Sequence, residues 1–316
     1  MALSDLGTSK TGDTVTLLLG RSGGVAAVQT GSAASSSILI GVVTATGSSS
    51  YTDASGNSYS APTVTFTATD GAQYTYQVSA GSSYAAGDLV QASTSSGAAS
   101  VKRLSAATSL SGRVSADGSK LGTYTFASDV EILDTYADSS LRIYPSRLAG
   151  INLQSGVRYY LLNAKGEISR LILDDVTGDL HQYGVVTSSN EYSVDMSVGS
   201  AYVYDIGGVT GVYSSASSML GASVGPARFR FKSGALASVN NLTQVKLSAV
   251  SGGTALAGST TYTLSDTVAV YEVKNASYFP SSLDRVASGY SLVGWYDKAE
   301  SAGGRIRVIT AIALES

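Results

Sequence analysis

The sequence predicts an all-β protein, built as a tandem array of small five-stranded barrels of the OB or SH3 kind that are joined end to end. Three observations lead to this prediction. A glycine-bounded hairpin recurs at near-constant spacing along the 316 residues, and the segments around it alternate apolar and polar side chains. No segment combines a 3.6-residue period with helix caps.

The hairpin pattern consists of a glycine, an alternating strand, a glycine turn and a second apolar strand. The glycines that open its five copies are Gly12, Gly87, Gly156, Gly225 and Gly289, which follow one another at intervals of roughly 70 residues. In the third copy, the strand from Val157 to Leu162 turns at Gly166 and returns from Ile168 to Leu173. Glycine supplies the positive φ that a tight hairpin connection needs.

Two further recurring sequence features support the repeat. Gly41, Gly112 and Gly184 each precede a hydrophobic strand and recur at the same interval as the hairpins. Tyr124 and Tyr262 open similar segments that are separated by two such intervals. The predicted units are therefore a leading hairpin at 1–36 and four barrels at 37–107, 108–179, 180–246 and 247–316.

Within the first unit, five short strands are predicted: Ile38–Thr44, Thr63–Ala68, Gln73–Val78, Leu89–Ser93 and Ala99–Leu104. Units of roughly 70 residues are too short for an immunoglobulin-like sandwich, which needs about 100, and suit a small, partly open barrel. Single helical turns are predicted only within Ser139–Leu148 and Ser281–Val286.

Composition narrows the class of function. Charged residues make up 14% of the chain and its net charge is −3, so no global field would attract nucleic acid. Cysteine is absent, and no window is apolar for long enough to span a membrane. The first residues lack the basic and apolar regions of a signal peptide, so an exported protein would carry its signal outside this chain.

The inventory of reactive side chains predicts no catalytic site, no cofactor and no metal site. The single histidine, His181, has no G-x-S-x-G nucleophile elbow to serve, although a Ser–His–Asp site using it stays open. One histidine without cysteine disfavours zinc. For Ca²⁺, the nearest carboxylate clusters are Asp174-Asp175 with Asp179 and Asp53 with Asn57. Neither has the spacing of a calcium loop, and both are also explained as turns.

Binding residues are suggested by Arg228-Phe229-Arg230-Phe231-Lys232, whose strict alternation places three cations on one face and two aromatics on the other. Arg305 and Arg307 repeat the arrangement. The candidate polymer- or partner-binding residues are Arg228, Arg230, Lys232, Arg305 and Arg307. Alternatively, the phenylalanines fill the barrel and the cations are simply solvated. The 20 tyrosines offer a further contact surface.

The segments Gly12–Arg21, Gly289–Lys298 and Gly303–Ile309 resemble the repeat regions of large Gram-positive surface proteins that attach through S-layer homology domains. This resemblance implies export and a role in the surface coat. The expected function is thus non-catalytic assembly at the extracellular cell surface or cell wall, with the chain itself and cell-wall polysaccharide as partners. The alternative is a carbohydrate- or wall-polymer-binding module that uses the strand faces bearing tyrosine and arginine.

Overall fold

The computed structural model describes residues 38–52, 56–95 and 98–314, together with the backbone of two strands near the amino terminus. These strands, β1 (Val15–Leu19) and β2 (Val25–Thr30), form an antiparallel hairpin. Gly12 and Asp53, which were singled out in the sequence, lie outside the described residues.

The first sheet is antiparallel and is built around one long strand. Its strands are β3 (Ile38–Thr52), β4 (Ser58–Ala68), β5 (Gln73–Gln77), β6 (Leu89–Ser95) and β7 (Ala98–Arg103), in the spatial order β5-β4-β3-β6-β7. Val64 and Phe66 are fully buried whereas Thr65 and Thr67 are partly exposed, in agreement with the predicted alternation. The edge strands β5 and β7 approach each other, so the sheet curves into a half-barrel.

The second sheet contains a parallel pair. Its elements are β8 (Gly112–Arg113), β9 (Lys120–Leu121), β10 (Tyr124–Tyr136), β11 (Ser139–Ile143), α1 (Pro145–Leu148), β12 (Asn152–Leu153), β13 (Val157–Leu162) and β14 (Ile168–Asp174). The order is β11-β10-β14-β13, with β10 parallel to β14 and β9 paired to β10. β8 and β12 form a separate two-stranded pair.

The third sheet repeats the first. Its strands are β15 (Gln182–Val194), β16 (Ser197–Ile206), β17 (Val209–Ser215), β18 (Gly225–Lys232) and β19 (Ala235–Asn241), in the order β17-β16-β15-β18-β19. Even the local irregularity is repeated. The bulge between Val43 and Ala45 in the first sheet recurs two units later, between Val186 and Ser188.

The fourth sheet repeats the second and adds strands. Its elements are β20 (Thr243–Leu247), β21 (Ala249–Ser251), β22 (Thr254–Ala257), β23 (Thr260–Lys274), β24 (Ser277–Ser281), β25 (Tyr290–Tyr296), a 3-10 turn (Glu300–Ala302) and β26 (Ile306–Ala313). The order is β20-β25-β26-β23-β22-β21, with β24 also paired to β23. The parallel pairs match, since Phe126 faces Ile168 in the second sheet and Leu264 faces Ile306 at the equivalent place in the fourth.

The fold therefore has a period of two units. All five predicted hairpins are present as antiparallel pairs. In the first and third sheets, the first strand of the hairpin pairs antiparallel with the long strand. In the second and fourth sheets, the second strand of the hairpin pairs with the long strand, and it runs parallel. The same hairpin motif therefore occurs in two types of sheet. It pairs with the long strand through its first strand in one type and through its second strand in the other.

The all-β prediction is confirmed, and the structure adds detail at the unit ends. The helical turn predicted within Ser139–Leu148 is α1, and the Ser281–Val286 segment contains one i→i−4 hydrogen bond, from Val286 N to Ser282 O, as a single helical turn requires. β20 begins at Thr243, before the predicted start of the last unit at residue 247, and it pairs with β25 of the fourth sheet.

Neighbouring sheets share apolar interfaces as well as enclosing their own cores. Ile40 and Val42 of the first sheet meet Leu133 and Ile172 of the second. At the corresponding positions, Tyr183 and Val185 of the third sheet meet Tyr271 of the fourth, in a cluster with Leu242 and Val308. The first and second sheets therefore form one pair, and the third and fourth form another.

Candidate functional site, a charged junction between three sheets

The two pairs meet at the segment 174–183, which links the second sheet to the third. The chain leaves β14 at Asp174 and enters β15 at Gln182. This segment contains the acidic cluster and the histidine that the sequence had brought to attention. Its side chains contact residues of the second, third and fourth sheets, and we call this region the junction.

Asp175 joins the three sheets through separate atoms. One carboxylate oxygen lies 2.8 Å from His181 Nε2, and the other accepts a hydrogen bond from Arg230 Nη2 at 3.1 Å. The backbone carbonyl accepts from Lys298 Nζ at 2.6 Å. Burial raises the pKa of the Asp175 carboxyl, but the His181 hydrogen bond and the charges of His181, Lys298 and Arg230 outweigh it and hold the pKa below its usual value. The residue has φ +48°, a conformation that Asp tolerates better than most.

Asp179 is held by two arginines from different sheets. Arg147, in α1, makes a two-point contact with Nε at 2.7 Å and Nη2 at 3.1 Å. Arg307, in β26, donates from Nη1 at 2.7 Å. Burial opposes ionisation, but the two guanidinium groups lower the pKa of Asp179 to about 2. Bidentate arginine–carboxylate contacts fix orientation as well as distance.

Both arginines also donate to the Thr177 carbonyl of the linking segment, and Arg147 reaches the backbone of the opposite pair. Arg147 Nη2 donates to the carbonyls of Thr177 at 2.9 Å and Gly303 at 3.1 Å. Arg307, which is only 2% exposed, donates to the Thr177 carbonyl and to Ser265 Oγ. The second and fourth sheets are thereby in direct contact, although the third lies between them in sequence.

Asp134 holds the beginning of the linking segment in place through hydrogen bonds. Its fully buried carboxylate accepts hydrogen bonds from Val176 N at 3.0 Å, and from Thr177 N and Oγ1 at 2.8 and 2.5 Å. Burial raises the pKa of Asp134, and these donors oppose the rise. The carboxylate thus substitutes for the backbone acceptors that the segment would have had in a continued strand.

A second buried acid, Asp297, connects the third sheet to the fourth. Arg228 Nη1 lies 3.3 Å from its Oδ2, and the Tyr183 hydroxyl lies 3.1 Å from the same atom. The Tyr183 hydroxyl is also 2.9 Å from the Gly178 carbonyl, so it donates to one of the two. Burial raises the pKa of Tyr183, which is therefore a neutral donor at physiological pH.

Aromatic rings cover the charged groups. The Arg230 guanidinium lies 4.8 Å from the ring centre of Tyr136, and the Arg307 guanidinium lies 4.8 Å from that of Tyr183. His181 meets the ring of Tyr136 edge-on at 4.6 Å. Cation–π contacts of this kind gain strength when the cation is desolvated.

The five cations predicted to bind a partner divide into two groups. Arg228, Arg230 and Arg307 point into the junction and pair with acids of this chain. Lys232 is exposed at the end of β18, and Arg305 lines a cavity between the second and fourth sheets, 3.4 Å from Asp266. Phe229 is fully buried in the core of the third sheet, as one of the two interpretations of this strand required.

The sequence did not indicate Asp134, Tyr136, Arg147, Asp297 or Lys298 as members of the junction. Most of their junction contacts join residues far apart in the chain; Arg147 and Arg307, for example, lie 32 and 128 residues from Asp179. A usable signal was the presence of Asp174, Asp175, Asp179 and His181 within eight residues, where one strong strand ends and before the next begins.

Most ionisable groups of the junction are already engaged in hydrogen bonds or ion pairs within the chain, which limits the chemistry that they can perform. His181 Nε2 faces Asp175, and its buried Nδ1 has no hydrogen-bond partner in the part of the chain that the structure describes. The carboxylates of Asp175 and Asp179 are both engaged by cations of this chain. Among the described residues, no group of three His, Cys, Asp or Glu is arranged to hold a metal ion.

Comparison with other proteins assigns the chain to no family. No family model, no curated protein and no solved structure gives a significant match to this chain. Among the described residues, no helix is both long and apolar enough to cross a membrane.

Proposed function

We propose that this chain is a non-catalytic structural protein of the bacterial cell surface, in which the repeats act as spacers and subunit contacts of an S-layer-like coat or filament. The observation that carries the proposal is the two-unit repeat, with the same apolar interface in both pairs and a charged junction connecting them. The resemblance of the hairpin segments to S-layer repeat regions supports the same assignment.

The junction suits a spacer because it specifies geometry. The acids Asp134, Asp175, Asp179 and Asp297 gather there with arginine and lysine side chains contributed by three sheets. Buried ion pairs contribute little net stability relative to apolar packing, but they select one arrangement because misaligned charges are costly. We propose further that each sheet closes into a small, partly open barrel, so that the pairs behave as stiff bodies.

A site for contact between subunits is offered by β17, an edge strand of the third sheet. It pairs only with β16 among the described strands, and Val209 and Val212 are 72% and 71% exposed. Its sequence, VTGVYSS, contains no lysine or proline to block pairing with another chain. In β-augmentation, a strand of another chain pairs with an exposed edge strand of this kind.

The experiment is to measure self-association of the purified chain by light scattering and electron microscopy. Concentration-dependent assemblies are expected, and Val212→Lys should abolish or strongly reduce them. Ala116→Lys, which places the same charge in an exposed loop, is the matched control and should assemble normally. A chain that stays monomeric under all conditions, or a Val212→Lys variant that assembles as well as the control, would contradict the proposal.

A second candidate function, binding of wall polysaccharide, is favoured by one surface feature. Tyr144 is 63% exposed, and the Arg142 guanidinium lies 5.6 Å from its ring centre. In this proposal the exposed ring stacks on a sugar face and the neighbouring guanidinium donates hydrogen bonds to sugar hydroxyls. Retention of the chain on purified cell walls should be lost in Tyr144→Ala and kept in Tyr192→Ala, which removes another exposed tyrosine.

A further inference from the structure

A cavity of about 580 Å³ lies between the second and fourth sheets, on the side of the junction nearest α1. One wall comes from α1 and the loop that follows it, and includes Arg147 and Gly150. The other comes from the 3-10 turn and the residues before β26, and includes Glu300 and Arg305. The contact of Arg147 with the Gly303 carbonyl holds the two walls together. The volume falls within the range of small-ligand sites in proteins.

Positive charge in this cavity exceeds the negative charge available to neutralise it. Three arginines, Arg113, Arg147 and Arg305, line it together with a single acid, Glu300. Arg147 is neutralised by Asp179. The Glu300 carboxylate accepts a hydrogen bond from Thr263 N at 2.5 Å, and among the described residues no ion pair joins it to any of these arginines.

The positive charges of Arg305 and Arg113 are only weakly neutralised by nearby acids. The side chain of Arg305 is 18% exposed, and its ion-pair partner, Asp266, lies 3.4 Å away and is 95% exposed. Burial lowers the pKa of Arg305, and the positive charge of Arg147 adds to this effect. Arg113 is an exposed residue, and within the described part of the chain no carboxylate forms an ion pair with it. A confined guanidinium such as that of Arg305, whose counter-charge is a fully solvated carboxylate, is a ready partner for an oxyanion.

We propose that this cavity binds a tetrahedral oxyanion, phosphate or sulfate, between Arg113 and Arg305. Ser146 and Ser301, which also line the cavity, supply hydroxyl donors to the oxygens that the arginines leave free. The anion is either a free ion or an ester carried by a polymer, since the groups that recognise it are the same. Because its two walls belong to different pairs, a bound anion would add a bridge between the second and fourth sheets. The site goes beyond the structural role proposed above and does not depend on it.

The test is isothermal titration calorimetry of the full chain at low ionic strength, with sodium phosphate and sodium sulfate as separate titrants. One site per chain is expected. The Arg113→Gln/Arg305→Gln double variant should bind at least about tenfold more weakly, because two charged hydrogen-bonding groups are lost. Lys232→Gln removes an exposed charge elsewhere and should bind as the unmodified chain does.

Circular dichroism establishes that each variant is folded. If the double variant does not fold, Arg305→Lys takes its place: it keeps the charge but loses the planar two-point geometry, and it should bind severalfold more weakly. Competition by dextran sulfate, with uncharged dextran as control, indicates a polymer-borne ester, and its absence indicates a free ion. Unchanged affinity in the folded arginine variants, or an equal loss in Lys232→Gln, would overturn the proposal. Neither result would alter the outcome of the self-association experiment.

Discussion

At the scale of single residues, the junction shows why ionisable side chains are buried in a chain that has few of them. Only 14% of the residues are charged, yet Asp134, Asp297 and Arg307 are almost completely inaccessible. Each is compensated by hydrogen bonds or by opposite charges from another part of the chain. Removing one member should therefore cost more than the pair contributes, because its partners stay buried without compensation.

The sharpest case is Asp179, which neutralises Arg147 and Arg307 together. Asp179→Asn should lower the free energy of unfolding by roughly 3 kcal/mol, the low end for a broken buried pair, since the carboxylate is 22% exposed. Urea unfolding measures this loss. Asp266→Asn removes an exposed acid from a 3.4 Å pair with Arg305 and should leave the midpoint unchanged. Equal effects of the two substitutions would show that Asp179 has no special role.

The same group predicts how stability depends on pH. The pKa of Asp179 in the folded chain is about 2, below its ordinary value of 3.8, so its stabilising contribution is present above about pH 4 and is lost as the pH falls towards 2. Because a protonated aspartate resembles asparagine, the difference in melting temperature between the unmodified chain and Asp179→Asn should be largest near neutral pH and shrink to near zero at about pH 2. A difference that stays constant from neutral pH to this acidic limit would exclude the explanation.

Part of this site is predictable from local sequence patterns, and its long-range contacts are not. Alternation correctly placed Arg228 and Arg230 on the face opposite the buried Phe229. It could not identify their partners, because Asp297 and Asp175 lie 69 and 55 residues away in the chain. Which acid faces which cation depends on how three sheets are placed, and local patterns carry no information about that placement.

At the scale of elements, strands and hairpins were predictable because their signals are local. The glycine turns and alternating side chains identified all five hairpins, and the strands of the first sheet differ from prediction mainly by longer ends. The parallel pairing of β10 with β14 and of β23 with β26 was not predictable. Similar hairpins join these sheets by opposite edges, so the choice depends on long-range packing and not on the hairpin sequence.

Gly41 and Gly184 show how close packing of elements determines a residue type. A Cβ at Gly41 would lie 2.2 Å from the Thr67 carbonyl oxygen, and one at Gly184 would lie 2.0 Å from that of Asp205. Gly41 lies where the long strand pairs with two neighbours, and Gly184 pairs with β18 directly before the first residue that also pairs with β16. The recurrence of glycine at this position thus has a steric cause, since a side chain would force the backbones apart.

Gly41→Ala should therefore destabilise the first sheet by at least about 2 kcal/mol, in the range of overpacked core substitutions. Gly47→Ala is the matched control on the same strand, because its Cβ would lie at an ordinary 3.5 Å from Thr63 Oγ1. It should be neutral or slightly stabilising, as alanine restricts the unfolded chain. Thermal unfolding distinguishes the two, and a neutral Gly41→Ala would mean that the strands can separate at no cost.

At the scale of the whole molecule, the repeat consists of pairs of sheets with two kinds of contact. Within a pair the sheets share an apolar cluster, with Val42 and Ile172 in the first pair and Val185 and Val308 in the second, and polar contacts such as Arg228–Asp297 lie beside it. Between pairs the contact is charged and hydrogen-bonded. Apolar contacts contribute stability without demanding one angle, whereas charged contacts select one angle with little gain in stability. This division of roles is the one that the proposed spacer function requires.

If each apolar interface is a separate cooperative unit, substitutions within one interface should be coupled and substitutions in different interfaces should not. Val42→Ala and Ile172→Ala belong to the same cluster, so their effects on the free energy of unfolding should depart from additivity by about 0.5–2 kcal/mol. Val42→Ala combined with Val308→Ala, from the other pair, should be additive within about 0.5 kcal/mol. Urea unfolding of the single and double variants measures both cycles. Coupling of equal size in both would mean that the junction transmits strain between the pairs.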